Sequence, residues 1–128
     1  MQDLLIEKQV STPYVNFSAS NRALFIEGNC IPENAFAFFT PLINWLSQLF
    51  ETSTIDRNEE YIIDIKCNYY NSASAKMLVF FFETVAEIQK KGYNLRVIWC
   101  CSADDTDLAD SVKDFTSITD ADIEIMKL

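Results

Sequence analysis

Across residues 33–50 the apolar side chains of Ala35, Phe38, Phe39, Leu42, Trp45, Leu46 and Leu49 recur every three or four positions. Ten residues later the period has dropped to two, with Ile63, Ile65 and Cys67 alternating against Asp64 and Lys66. This change of period constrains the fold more than any other feature, because only a helix buries the first spacing on one face and only a strand buries the second. It repeats along the chain. Residues 74–91 again read as a helix, closed by Gly92 just after Lys90 and Lys91, where a left-handed cap and cations at the negative helix end belong. Residues 95–101 are a mostly apolar run of strand length, and Asp104 or Asp105 is suited to cap a third helix through about residue 115.

Before the first helix, Tyr14, Val15 and Phe17 face Leu24, Phe25 and Ile26 across a Ser-Ala-Ser-Asn turn, a hairpin signature. After the third, Ile123, Ile125 and Met126 allow a short final strand. The order is ββαβαβα with a possible terminal strand. Helices that return the chain between neighbouring strands make a mixed, mostly parallel sheet of four to five strands in an α/β fold. At 128 residues, with five glycines and prolines together, the chain has room for one domain spanning 1–128. Pro32 and Glu33 fit the first turn of the first helix. Pro41 within it either kinks the helix near Ala37 or forces a restart with Thr40 as cap. The most polar connection is residues 52–60.

Composition removes whole classes of function. Nineteen acidic against ten basic residues give a net charge of −9, which repels a phosphate backbone, so nucleic acid is not an expected partner. With no histidine there is no Ser-His or Cys-His nucleophile pair and no histidine metal site. Gly28 and Gly92 stand too far apart for a nucleotide-binding glycine loop. No catalytic residue, metal or cofactor is therefore expected. Cys30, Cys67, Cys100 and Cys101 lack C-x-x-C spacing and lie in apolar surroundings, which suits core thiols in a reducing cytoplasm. The N-terminal ten residues lack the basic start and long apolar stretch of a signal peptide, and the longest apolar run, 77–82, is too short to enter a bilayer.

Chemistry has one natural seat. Residues 68–76, Asn-Tyr-Tyr-Asn-Ser-Ala-Ser-Ala-Lys, run from a sheet strand into a helix, at the carboxyl end where open α/β sheets present their sites. Asn71, Ser72 and Ser74 are all good cap residues. The free amides of a first turn favour an anion, and a phosphate there adds a charge of about −1.5 to −2. Lys76 runs against the helix dipole and, four residues after Ser72, faces either a phosphate on that hydroxyl or an acidic partner group. The plainer alternative is that Ser72 only caps the helix and Lys76 is solvated.

The chain resembles the SiaC family of bacterial regulatory phosphoproteins, whose fold is like the STAS domain of anti-sigma-factor antagonists. The resemblance rests on Thr12-Pro13, then Gly28-Asn29-Cys30-Ile31-Pro32-Glu33-Asn34 against the family's Gly-x-Ser-x-Pro-Glu-Asn, then Phe39, Pro41-Leu42 and Trp45-Leu46. It continues with residues 69–76 against Tyr-x-Asn-Thr-Ser-Ser-x-Lys, and with Trp99 followed by Asp104-Asp105-Thr106-Asp107. It implies a non-enzymatic switch, phosphorylated by a dedicated Ser/Thr protein kinase on the hydroxyl after the motif Asn and reset by a PP2C-type phosphatase. The unmodified form binds and activates a diguanylate cyclase in cyclic-di-GMP and biofilm signalling. The hydroxyl is Ser72 here, with Ser74 the second candidate. The surrounding switch surface is Tyr70, Asn71, Lys76, Met77 and Phe80. Cys30 stands where the family Ser would form a capping box with Glu33, which weakens that helix start.

Other features have plainer readings. Asp107, Asp110 and Asp114 share a helix face as a solvated acidic stripe, with a basic partner surface as the alternative. The helix after Ser72 is apolar almost all round: Leu78, Phe81, Val85 and Ile88 form one stripe, Ala75, Val79, Phe82 and Ala86 a second, and Met77 with Phe80 a third side. Either a neighbouring helix covers the excess or part of it is a docking surface; Phe36, Ile43 and Phe50 raise the same question on the first helix. A constitutive interaction or oligomerisation module built on those faces, without a phosphoswitch, is the alternative function.

Overall fold

A computed structural model describes residues 1–51 and 54–128. Two residues of the polar connection at 52–60 thus lie outside the described part. Six strands and three helices follow one another as β1 (Leu4–Ile6), β2 (Tyr14–Ser18), β3 (Ala23–Glu27), α1 (Ala35–Glu51), β4 (Tyr61–Lys66), α2 (Ser72–Lys90), β5 (Leu95–Cys101), α3 (Thr106–Thr119) and β6 (Ile123–Lys127). The sheet is one layer in sequence order, β1-β2-β3-β4-β5-β6. β1, β2 and β3 are antiparallel neighbours, and β3 to β6 are parallel. Strands added one by one in a single direction through right-handed crossovers place all three helices on the same face. α2 lies between α1 and α3.

The core fills the space between that face and the helices. Phe17, Leu24, Ile63, Ile65 and Trp99 from the strands meet Phe39, Leu42, Leu46, Phe81, Phe82 and Val85 from α1 and α2, all fully buried. On the other face, strand register aligns Asn16, Phe25, Asp64, Ile98 and Glu124 in one row. No helix among the described residues covers it.

The structure corrects the expected elements in four places. There are six strands, not four or five: β1 pairs with β2 through Leu4, Leu5 and Ile6, and the Trp45 indole fixes its entry by donating to the Gln2 carbonyl at 2.8 Å. Three residues carry too little period to announce a strand; the partner edge supplies the reason for it. α1 starts at Ala35, after Pro32 and Glu33, with Asn34 Oδ1 accepting from the Ala37 amide at 3.0 Å. Cys30 therefore forms no capping box with Glu33; it lies in a parallel bridge with Tyr70. Of the two readings of Pro41 the restart is excluded, since α1 passes through it as one helix and Thr40, instead of capping, donates its hydroxyl back to the Phe36 carbonyl. α2 begins two residues earlier than its apolar period suggests, and α3 runs four residues past Phe115, ending where Asp120 turns left-handed at φ 66°.

A hydroxyl at the start of α2, beside a groove between two helices

β4 stops at Lys66, and residues 67–71 carry the chain into α2 under firm control. The β3–α1 loop runs alongside as an extension of the sheet: Gly28 donates its amide to the Lys66 carbonyl, Cys30 to Tyr69, and Asn71 to Cys30, at 2.9, 2.9 and 3.1 Å. Gly28 takes φ 128°, and a Cβ there would lie 3.1 Å from Pro13 Cα, so two reasons demand glycine. From below, the buried Trp99 indole donates to the Cys67 carbonyl at 3.1 Å. Tyr70 is half-buried, its ring packed against Trp99 and Phe115, and its hydroxyl is in contact with the Ser111 side chain. Burial raises the Tyr70 phenol, and the Ser111 hydroxyl partly offsets this.

The cap is Asn71, whose Oδ1 accepts from the Ser74 amide at 2.9 Å. Ser72 is thereby the first helical residue and Ser74 the third. Their surroundings are opposite. Ser72 is exposed, and among the described residues its hydroxyl makes no hydrogen bond. Ser74 is 0% exposed, with its Oγ against the buried Cys30 thiol and no well-formed hydrogen bond among the described residues. Burial pushes the Cys30 thiol up to about 12 and that of Cys67 to about 11, so both are neutral packing groups and poor nucleophiles.

One turn further along α2, Lys76 is exposed and forms no ion pair with any described residue. Ser72 and Lys76 face a cavity of about 700 Å³ whose opposite wall is Glu33, Asn34 and Phe36 at the start of α1. Phe36, Met77 and Phe80 also line a second cavity of about 290 Å³, reaching Ile43 and Asn44, so the two form one groove between α1 and α2. Phe36 is 68% and Phe80 54% exposed at its rim, while Met77 is buried at its floor. Packing of α1 on α2 covers most of the excess apolar surface of both helices and leaves this end open, while Phe50 is buried against the rings of Tyr61 and Tyr93.

Of the anticipated switch residues, Ser72, Lys76, Met77 and Phe80 come together on the groove, whereas Tyr70 and Asn71 brace the loop behind it. Glu33, Asn34 and Phe36 complete the groove from more than thirty residues away. Glu33 and Asn34 belong to the family pattern, but nothing in the sequence tied them to the site, and only its place on the excess apolar face marked Phe36. The acidic stripe of α3 is exposed as expected, and Asp105 caps that helix through the Leu108 amide.

Known proteins share this fold. SiaC of Pseudomonas aeruginosa in its apo form superposes with a TM-score of 0.85 at 21% identity over 98% of this chain and 99% of the other. A crystal structure of the diguanylate cyclase SiaD in complex with its activator SiaC matches at 0.87 and 20% identity, over 98% of this chain and 100% of the matched one. An uncharacterised protein of the same species is 24% identical over 99 residues, 77% of this chain and 75% of that protein. The sequence model of the SiaC family regulatory phosphoproteins matches residues 6–128, and the chain therefore belongs to that family.

Proposed function

We propose that this regulatory protein is a non-enzymatic switch whose output is set by phosphorylation of Ser72, and that its effector is a diguanylate cyclase, bound and activated by the unmodified form. A Ser/Thr kinase writes the mark and a PP2C-type phosphatase removes it. The observation that carries the reading is the contrast between two hydroxyls on one helical turn: Ser72 is exposed at the rim of an apolar groove, and Ser74 is sealed beneath it. A kinase reaches the first without disturbing the fold. The cyclase partnership is supported by the SiaD complex of the P. aeruginosa relative.

Apolar rings at the rim favour a protein partner, since Phe36 and Phe80 gain by leaving water. A phosphate set among them must be desolvated when the partner docks, and a buried charge without a partner costs about 2–5 kcal/mol. The test is binding of wild type, Ser72→Ala and Ser72→Asp to the diguanylate cyclase of the same organism. Binding kept by Ser72→Ala and reduced at least tenfold by Ser72→Asp is expected. Equal binding by all three leaves a constitutive interaction module instead.

A further inference from the structure

We infer that Lys76 receives the phosphate of modified Ser72 within the same chain, so that the phosphoserine is held by its own helix across the mouth of the α1–α2 groove. The inference rests on Ser72 being the modified residue.

Three observations meet at this pair. Ser72 and Lys76 are four positions apart on α2, the spacing that brings side chains together on one helix face, and an anion preceding a lysine is the favourable order. Lys76 is otherwise misplaced: a cation near the positive end of a helix is repelled by the dipole, and no described carboxylate forms an ion pair with it, Glu33 facing it only across the cavity. Both residues line the same cavity, which has ample room for a phosphate beside the lysine stem.

The charges facing that space decide where the phosphate goes. From the start of α1 only Glu33 approaches it, and from α2 only Lys76. Glu33 repels the dianion and Lys76 attracts it, which holds the group on the α2 side, next to Met77 and Phe80. Lys76 is thus a positioning residue. Its ammonium turns a freely rotating phosphoserine into a fixed obstruction, and the block on docking becomes steric as well as electrostatic.

The experiment is a ³¹P NMR titration of protein carrying genetically encoded phosphoserine at position 72, comparing the otherwise unchanged chain with Lys76→Met. Methionine keeps most of the stem and removes the charge. A neighbouring cation favours the dianion and lowers its second ionisation, so Lys76→Met is expected to raise that ionisation by about 0.3–0.5 pH unit. The difference should shrink in about 1 M salt, where screening is close to complete over the distance of a side-chain pair. Equal titration curves, with the fold confirmed by unchanged circular dichroism, overturn the inference. The encoded phosphate makes this result independent of whether cells modify Ser72. A serine never modified in the host defeats the proposed function alone, and equal curves alongside an intact cyclase switch defeat this inference alone.

Discussion

The chain passes from strand to helix in the same way at α2 and at α3. In each, an Asx side chain caps the helix by accepting from the amide three residues on, Asn71 from Ser74 and Asp105 from Leu108, and a hydroxyl residue, Ser72 or Thr106, takes the first helical position. Both hydroxyl residues are exposed. What differs is charge. The start of α2 holds no acid in its first turn and has Lys76 nearby, whereas α3 opens amid Asp104, Asp105, Asp107 and Asp110. An added phosphate is accommodated at the first and repelled at the second. A cap with a hydroxyl behind it is therefore common architecture; of the two places, only the start of α2 has the electrostatic surroundings and adjoining groove that suit the proposed modification.

The comparison breaks most readily at the two hydroxyls. Ser72→Asp is expected to weaken cyclase binding by roughly 10- to 100-fold, about 1.4–2.7 kcal/mol, whereas Thr106→Asp changes it less than twofold, as titration calorimetry would show. A loss at Thr106→Asp as large as at Ser72→Asp would mean that the partner spans both helix starts. A second effect, on stability instead of binding, separates the supports beneath them. Trp99→Phe removes the indole donor from the Cys67 carbonyl and should cost about 1–3 kcal/mol in urea unfolding. Amide exchange should accelerate in residues 67–71 more than at the start of α3. Smallest of all, Asn71→Ala and Asp105→Ala should each cost about 1 kcal/mol in the same assay, since each removes one cap of the same geometry. If only Asn71→Ala also alters cyclase binding, the cap at α2 has a second duty in orienting Ser72.

Local periodicity makes the helices and central strands legible, because Phe39, Leu42, Leu46 and Ile63 report their own burial through their spacing. It fails where an element owes its existence to something distant. β1 exists through the β2 edge and the Trp45 indole; the Asn34 cap is hidden by Pro32 and Glu33, which look like a helix start but precede it. At the site, Asn71, Ser72 and Lys76 are readable because they are neighbours in sequence. Separating Ser72 from Ser74 needs three dimensions, since both are small hydroxyl residues on one turn and only the packing of Cys30 over Ser74 tells them apart. The groove is likewise a property of two helices side by side, and the wall supplied by Phe36 has no signature in residues 68–80.

Cys30 steadies the loop before α2 through its amide and carbonyl, which any residue other than proline supplies equally well. The side chain at this point can therefore be exchanged with the loop's geometry left intact, a thiol here for the hydroxyl of the family pattern, provided the newcomer is small enough to sit above Ser74. Divergent members of the family are then expected to vary in chemistry at this position while holding its size nearly fixed.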